Sequence, residues 1–583
     1  MVAKWMVETD LSKEWDFYTR ANVGEVFPDP VAPLSFSYFQ NDKGLGGVEM
    51  GFRRAYYRIG VMEPDELPDD ECVFIGVTNG YTYLNASALR MLGHRAPGMT
   101  AADIDLAFFG ESAGVPEFVV KPGFDRPDLT EKIGATFGWV LTTPDLPDVR
   151  AFEEVVNELR VKRPDLSLMS ERELIDYLID MTDMHFPALF EEHIFISFLA
   201  TLPIGIITAV CNAVGMPTAP LRLIAGLGDV ESAAPSMEMW KLGRLVASSS
   251  ALTSLFDRGN LGLDSRLRLG AAPDVASFVT AFDEFLFHYG SRGPNEWETR
   301  SPTWETHPDL ALAAIDRMRL SPESSAPMAR NASRAIEREQ LGTEIAALLA
   351  GDPETQGQFL AALSSAKVFM PGRERTKTNC VKMIQELRMA LREFGRRCVA
   401  AGTFPQITSY GMLSREELLG FLDDPTRYTP LLTEREALLA EYAQLQEPFL
   451  FVGSPGDVND YPRRDAVPVI VVTAGEVIQG ISGCPGVARG IARVVTSSHD
   501  PTALAPGDIL IAPITDPSWT PLFVPAAAVV VDVGAPLSHA IIVSRELGIP
   551  CVVSAPDATR RIPDGSLIEV DGNTGVVTII ELP

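Results

Sequence analysis

The chain has 583 residues, of which 46% are hydrophobic and 22% are charged. This is the composition of a globular protein, and it excludes a mostly disordered chain. At about 150 residues per domain, the length predicts about four domains. The formal net charge is −29, and a surface of that sign repels nucleic acid and anionic membranes. We therefore expect no nucleic-acid partner and no membrane partner, and we expect an anion to bind only at a local exception to the average charge.

The first hundred residues mix helix and strand signals. Residues 72–78 are strand-like, Asn79-Gly80 is a hairpin turn signal, and residues 81–84 predict the returning strand. The six cysteines have neither the paired spacing of metal ligands nor that of a disulfide framework. We expect them to be reduced and buried, and we expect no metal site in this chain.

Residues 151–446 carry apolar side chains at three- and four-residue spacing, which predicts a large helical domain. Within it, residues 194–221 carry no formal charge. A membrane-spanning helix needs about 20 mostly apolar residues, whereas Pro203, Asn212 and Pro217 interrupt this stretch. We therefore predict a helix buried in the helical domain. Because the N-terminus has no apolar signal core, we expect a cytoplasmic protein.

The composition changes again near Val452. Residues 453–479 are rich in Gly, Pro and Asp and lack periodicity, which is typical of a linker. Short β-branched runs with Asp-Gly and Gly-Asn turns follow, and one helix is predicted at residues 538–547. The sequence thus predicts a multidomain protein: a mainly α domain with a mixed α+β start over residues 1–452, the linker, and a compact α+β domain over residues 480–583. The strands predicted in that last domain are residues 490–497, 508–513, 528–533, 551–554, 566–571 and 576–581.

A histidine at the start of the predicted C-terminal helix is the most informative residue. Gly534 ends a buried strand, Ser538 occupies the N-cap position, and His539 lies in the first helical turn. The N–H groups and partial positive charge of a helix N-terminus favour an anion, phosphate above all. The same environment keeps the imidazole neutral, and a neutral imidazole nitrogen can attack a phosphoryl group. From the residues alone, His539 either carries a phosphoryl group or merely caps and packs the helix.

Residues 534–550, which read GAPLSHAIIVSRELGIP, resemble the phosphohistidine signature of the phosphoenolpyruvate-utilising (PEP-utilising) enzyme family. The departures are Ala535 for a glycine, Leu537 for a threonine and Ser544 for an alanine, and none of them removes the histidine. This resemblance implies a swivelling β/β/α domain in which His539 is the phosphocarrier and Ser538 and Gly534 lie at the phosphate. The flanking segments that also match are Gly483-Cys484-Pro485-Gly486, Thr515-Asp516-Pro517-Ser518-Trp519 and Asp571-Gly572-Asn573-Thr574-Gly575.

Segments of the N-terminal domain resemble the rifampicin phosphotransferase family. The resemblance implies that Arg292 and Glu296 bind the substrate, and that Arg373, Glu374 and Lys377 are catalytic. The matching segments are Thr19 to Pro28 followed by Pro33-Leu34, Tyr289 to Glu298, Ser301-Pro302-Thr303-Trp304-Glu305, and Gly372-Arg373-Glu374-Arg375-Thr376-Lys377.

Residues 371–397 also differ from the rest of the chain in charge, because eight basic and three acidic residues give them a net charge of +5. A phosphorylated carrier needs a docking surface of positive charge, and a transferring phosphoryl group needs fixed cations, as Arg373 and Lys377 would be. Glu374 is either a general base for the acceptor or an i,i+3 partner of Lys377. Arg388, Arg392 and Arg396 form one helical stripe, which is either part of the docking surface or a solvated helix face.

The resemblance carries expectations about function. The chain has no GxxxxGK[ST] phosphate loop, and its start does not resemble an ATP-grasp domain. We expect a separate ATP-grasp subunit to load His539 from ATP with Mg²⁺, and the carrier to phosphorylate a small organic hydroxyl compound, an aromatic or phenolic one, bound in the helical domain. This architecture resembles the histidine-bearing subunit of phenylphosphate synthase. The alternatives are activation of a carboxyl or carbonyl oxygen for condensation, and a non-enzymatic phosphocarrier or regulator.

Overall fold

A computed structural model describes residues 3–39, 46–109, 114–227, 234–323, 326–464, 472–496, 503–516, 519–534 and 538–583. Contacts between Cα atoms divide the chain into two compact units. The first unit comprises Met1–Thr201, Trp297–Arg300 and Arg375–Val467, and the second comprises Leu202–Glu296, Ser301–Glu374 and Pro468–Pro583. One break between the units, at residues 467–468, falls in the segment predicted as a linker, and the second unit also contains helices of residues 202–374 together with the C-terminal strands.

The N-terminal part of the chain begins with mixed secondary structure and continues as helices. Prolines at the first or second position begin many of these helices, and Ser170 begins the longest helix of the first two hundred residues with a capping box to Glu173. The elements are β1 (Phe17–Thr19), α1 (Val23–Val26), α2 (Pro33–Phe39), α3 (Gly47–Ile59), β2 (Ile75–Thr78), β3 (Tyr81–Asn85), α4 (Ala86–Arg95), α5 (Ala101–Phe109), α6 (Pro127–Thr142), α7 (Pro147–Val161), α8 (Glu171–Leu199), α9 (Thr201–Ala213), α10 (Ala219–Leu223), α11 (Ala234–Ser248), α12 (Ser250–Phe256), α13 (Leu263–Arg268), α14 (Pro273–Tyr289), α15 (Pro308–Leu320), α16 (Pro327–Leu348), α17 (Pro353–Ala400), α18 (Arg415–Asp423), α19 (Pro425–Tyr442) and β4 (Leu450–Val452).

The four strands of this part form one antiparallel sheet of the first unit, in the order β2-β3-β1-β4. The predicted hairpin is confirmed: Thr78 pairs with Tyr81, and Asn79 and Gly80 have positive φ values of 48° and 78°, as a tight two-residue turn requires. Strand β4 comes from residues that follow the helices, and it pairs with β1. The predicted mixed start is therefore completed by a strand from more than 360 residues later in the chain.

The uncharged segment at residues 194–221 is divided among the end of α8, α9 and α10, whereas one buried helix was predicted. Helical residues Glu171–Ala213 are long and apolar enough to cross a membrane by length and composition alone, with a mean hydropathy of 2.3 in the most apolar window. Half of that window is buried within the protein. All six cysteines are buried and carry free thiols, which confirms that prediction.

The C-terminal strands form one sheet of the second unit, in the order β5-β12-β11-β7-β8-β9-β10-β6. Strands β7, β8, β9 and β10 run parallel to one another, and the outer pairs are antiparallel. The six predicted strands and the helix are all present. The elements are β5 (Val477–Gln479), β6 (Ile481–Cys484), β7 (Val487–Val494), β8 (Ile509–Ala512), α20 (Thr520–Phe523), β9 (Ala528–Val531), α21 (His539–Leu547), β10 (Cys551–Val553), α22 (Ala558–Arg561), β11 (Leu567–Asp571) and β12 (Val576–Glu581).

Alternate side chains of the central strands enter two different cores. Ile509 and Ile511 of β8 belong to a core that the outer strands complete, whereas Leu510 belongs to a second core that contains α21. A strand buried on both faces reads as a continuous apolar run, because successive side chains point to opposite faces. The second core also contains side chains of α11 to α15, such as Trp240 and Phe282, and α16 packs against α21. Within the second unit, the histidine helix is therefore held between the sheet and these helices.

Candidate active site around His539

The local sequence places His539 as the first residue of helix α21. Ser538 is the N-cap residue and has extended backbone, with φ −67° and ψ 155°. Gly548 ends the helix in the left-handed conformation, with φ 65°, which a glycine adopts without steric cost. These cap positions confirm the predicted helix. The preceding strand ends at Val531, two residues earlier than predicted, and Ala535 to Leu537 lie outside the described residues.

The imidazole of His539 is buried, and hydroxyl groups lie beside both of its nitrogens. The side-chain oxygen of Thr515 is 3.1 Å from Nδ1, and that of Thr520 is 3.2 Å from Nε2. Phe523 presents a perpendicular ring, with 5.8 Å between the ring centroids. A neutral imidazole has one donor and one acceptor nitrogen, and a hydroxyl group can complement either. The two hydroxyl groups can therefore hold the ring in a fixed orientation.

Ser538 and Gly534 were predicted to lie at the phosphate. Ser538 is 3% exposed, and its hydroxyl oxygen is buried with no hydrogen-bond partner in the described part of the chain. A buried hydroxyl group without a partner costs free energy, about 1–3 kcal/mol, which a phosphoryl oxygen would recover by accepting its hydrogen bond. A Cβ atom on Gly534 would lie 3.2 Å from this hydroxyl oxygen and 2.9 Å from Cβ of Val553. Gly534 therefore allows close packing beside Ser538, the residue directly before His539.

The predicted catalytic residues Arg373, Glu374 and Lys377 all lie in α17, a 48-residue helix. Nη1 of Arg373 donates to Oε1 of Glu374 over 2.9 Å, and these two residues belong to the second unit. Lys377 belongs to the first unit and is half-buried. The sequence left two roles open for Glu374, a general base and a structural partner of Lys377. In the structure the Glu374 carboxylate forms an ion pair with Arg373.

The predicted substrate-binding residues Arg292 and Glu296 form a buried ion pair in the second unit. Nη1 of Arg292 is 2.9 Å from Oε1 of Glu296, and the two side chains are 4% and 1% exposed. The main-chain N–H of Trp304 donates to the carbonyl of Arg292 over 2.8 Å, and a Cβ atom on Gly293 would lie 2.3 Å from the carbonyl oxygen of Pro302. The segment at Arg292-Gly293 and the segment at residues 301–305, which both resemble the rifampicin phosphotransferase family, therefore pack directly against each other.

Sequence reasoning missed the roles of Thr515 and Thr520. Thr515 was noted only as part of a flanking match, and Thr520 was not singled out. The described residues contain no group of three or more His, Cys, Asp or Glu side chains placed to hold a metal ion. The described residues therefore do not fit Mg²⁺.

Comparison with known proteins agrees with this geometry. Residues 193–374 match the family model described as the rifampicin phosphotransferase fourth domain, and residues 504–575 match the PEP-utilising enzyme mobile domain. The first match covers the Arg292–Glu296 and Arg373–Glu374 pairs, and the second covers His539 with both threonines that contact its ring.

Several curated proteins are similar to this chain in sequence. An uncharacterised protein of Mycobacterium tuberculosis is 33% identical over 53% of this chain and 32% of its own length. The prodigiosin synthesizing transferase of Serratia marcescens is 26% identical over 97% of this chain and 63% of its own length. The rifampicin phosphotransferase of Streptomyces sviceus is 29% identical over 54% of this chain and 36% of its own length. The chain thus spans only about a third of the length of two of these three relatives. The chain thus contains a domain that matches the mobile domain of PEP-utilising enzymes, and His539 begins a helix within it.

Proposed function

We propose that this chain is the phosphoryl-carrying and acceptor-binding part of a phosphotransferase. One observation carries the proposal: His539 begins a nine-residue helix whose N-cap hydroxyl, on Ser538, is buried without a partner in the described residues. Main-chain N–H groups at a helix start and a hydroxyl donor together suit a phosphoryl group covalently held on His539.

Loading is proposed to occur from ATP with Mg²⁺, both bound by a separate ATP-grasp subunit. The support for loading on a histidine is the match of residues 504–575 to the PEP-utilising enzyme mobile domain, which contains His539. A ring nitrogen of His539 forms a bond to phosphorus, the bond from phosphorus to its leaving oxygen breaks, and the ring releases its proton. We propose that the protein acts in the cytoplasm.

The acceptor is proposed to be a small organic compound with an aromatic or phenolic hydroxyl group, bound in the helical region. In this step the acceptor oxygen forms a bond to phosphorus, the nitrogen–phosphorus bond breaks, and the ring retains the electron pair and takes up a proton from solvent, which restores the neutral imidazole. The acceptor proton passes to the Glu374 carboxylate. Arg373, already bound to that carboxylate, would supply positive charge to the transferring group. The side chains of Arg292 and Glu296 are nearly inaccessible to solvent. Their proposed substrate role is therefore indirect: the buried pair would hold in place the neighbouring residues that orient the acceptor.

A second candidate is activation of a carboxyl or carbonyl oxygen for condensation. It is favoured by one observation: the relative that covers 97% of this chain is named as a synthesizing transferase. Both candidates require phosphohistidine, so product analysis by mass spectrometry separates them: a stable phosphorylated hydroxyl compound supports the first, and a condensed product with free phosphate supports the second.

The carrier role can be tested with His539→Gln, which keeps the size of the side chain and removes the nucleophilic ring. With a competent ATP-grasp partner, ATP and Mg²⁺, we expect acid-labile phosphate on the wild type and none on the variant, at equal far-ultraviolet circular dichroism. The wild type without the partner should stay unlabelled. Equal labelling of the variant would show that another residue carries the phosphoryl group, and strong labelling without the partner would show a nucleotide site in this chain.

A further inference from the structure

Ser554 has an unfavourable backbone conformation in the turn that follows β10. Its φ is +48°, in the left-handed region, where a residue with a side chain loses about 1–2 kcal/mol. Its hydroxyl group donates to the carbonyl oxygen of Gly534, 20 residues earlier in the chain, over 2.5 Å. A strained residue that makes such a contact is a candidate for a functional role, because the surrounding structure maintains the strain.

Gly534 transmits this contact to the histidine helix. The space where its side chain would lie is filled by Val553 of β10 on one side and by the Ser538 hydroxyl oxygen on the other, at 2.9 Å and 3.2 Å. Ser538 is the residue directly before His539. A shift of Gly534 away from Ser554 would therefore loosen the packing around the N-cap of α21.

Asp532, two residues before Gly534, is also hydrogen-bonded to the segment that follows β10. The main-chain N–H of Thr559 donates to Oδ1 of Asp532 over 2.8 Å, and the Thr559 hydroxyl donates to the other carboxylate oxygen. The N–H of Ala555 donates to the carbonyl of Val531 over 3.1 Å. Between the two attached residues, Val533 is 43% exposed. Residues 554–559 are thus hydrogen-bonded to Asp532 and to Gly534, on either side of the exposed residue Val533.

We propose that Ser554 and Asp532 are positioning residues for His539. We call their contacts with Gly534 and Thr559 the clasp, and its role is to fix the N-terminal end of α21 so that His539 and the Ser538 hydroxyl keep one arrangement for phosphoryl transfer. This inference rests on the proposed carrier function. Its physical basis is that a reacting group displaced by about 1 Å can lose about a hundredfold in rate.

The variant Ser554→Gly separates positioning from stability. It removes the hydroxyl group and also relieves the backbone strain, so the fold should be as stable as the wild type or more stable. The matched control is Asp557→Gly, a change to glycine in the same turn at a similar φ of +54°. The Asp557 side chain binds Arg560 over 2.8 Å and makes none of the hydrogen bonds of the clasp.

Two measurements on the full chain complete the test. The first is hydrogen exchange of main-chain amides at the start of α21. The second is phosphorylation of His539 by phosphoramidate, a small phosphoryl donor, in which a ring nitrogen bonds to phosphorus, the phosphorus–nitrogen bond of the donor breaks, and ammonium leaves with the ring proton. For Ser554→Gly we expect at least tenfold faster exchange and about tenfold slower phosphorylation, with the control like the wild type in both.

The outcomes distinguish the two ideas. Ser554→Gly with wild-type exchange at the start of α21 would overturn the clasp, and so would equal changes in the control. If the wild type and His539→Gln take up phosphate equally, the carrier function fails, while the exchange measurement still decides on the clasp. Slower phosphorylation and faster exchange in Ser554→Gly alone, at an undiminished melting temperature, would support both.

Discussion

Asp532→Asn should change how the stability of the C-terminal sheet depends on pH. Burial raises the pKa of the Asp532 carboxyl from 3.8 to about 6, the hydrogen bonds from Thr559 oppose this rise, and the nearby charge of Asp557 adds to it. An asparagine has the same shape, and its amide oxygen can still accept the N–H bond from Thr559. The variant therefore removes the titration while keeping most of the geometry.

The expected magnitude follows from the raised pKa. Because the folded state holds this proton more tightly than the unfolded state, the contribution to stability is fully present below pH 3.8 and is lost as the pH rises through about 6. Between pH 5 and pH 8 the loss amounts to about 1.4 kcal/mol, a factor of about ten in the opening equilibrium. The wild type should lose this amount on going to pH 8, and Asp532→Asn should not.

Hydrogen exchange of the main-chain amides of β9 and α22 measures this local opening, after correction for the intrinsic pH dependence of exchange. The quantity to compare is the opening free energy of the variant minus that of the wild type, at pH 5 and at pH 8. Any effect of the substitution that does not depend on pH cancels in this comparison. Asp557→Asn is the matched control, since Asp557 is half-exposed and lies in the same turn.

From pH 5 to pH 8, the opening free energy of Asp532→Asn minus that of the wild type should rise by about 1.4 kcal/mol. The corresponding rise for Asp557→Asn should be much smaller. A difference that stays constant from pH 5 to pH 8 would refute the reasoning, because it would mean that Asp532 does not titrate in this range. A constant difference is also the result expected if the Thr559 hydrogen bonds lowered the pKa of Asp532 below 3.8, because the carboxyl group would then titrate below pH 5 in both states.

Two further predictions concern the charged pairs. Arg373→Ala and Lys377→Ala should slow transfer to the acceptor at least tenfold while leaving the loading of His539 by a competent partner intact; rapid-quench measurement of each half-reaction separates the two, and a loss of loading would assign these residues to the other site. Glu296→Ala should destabilise the second unit by about 3–5 kcal/mol because it leaves the Arg292 charge buried, whereas the double variant Arg292→Met/Glu296→Leu should lose much less; equal melting temperatures of wild type and Glu296→Ala would contradict a buried pair.

The elements that could be predicted from sequence are those whose signals are local. Asn79-Gly80 predicts its hairpin because two left-handed residues are needed in the turn itself. Ser538 and Gly548 predict the ends of the histidine helix because caps act on neighbouring N–H and carbonyl groups. Strand β5, by contrast, falls in the segment predicted as a linker. It has three residues and exists because it pairs with β12, almost a hundred residues later, which no local pattern reports.

The histidine was predictable, but its surroundings were not. Thr515 and Thr520 reach the ring from 24 and 19 residues away, through a strand end and a short helix that the sheet brings together. Their side chains are small polar groups of a kind that also occurs throughout loops. The resemblance marked the segment around Thr515, yet the contact with Nδ1 follows only from the fold. Ser554 is similar: nothing in its sequence neighbourhood indicates a left-handed serine whose hydroxyl binds Gly534.

The arginine stripe of α17 shows why charge patterns cannot decide orientation. The four-residue spacing correctly places Arg388, Arg392 and Arg396 along one helix, but a solvated face was one of the two interpretations, and Arg388 is fully buried. Its guanidinium donates to Oε1 of Gln385 over 2.6 Å and to the main-chain carbonyl of Glu298 over 2.9 Å. A buried guanidinium is tolerated when such acceptors satisfy it. Arg396, two turns further along the helix, is 60% exposed and pairs with Glu393. The positive charge of residues 371–397 therefore does not form a single docking surface, because Arg388 is buried in the core whereas Arg396 is exposed.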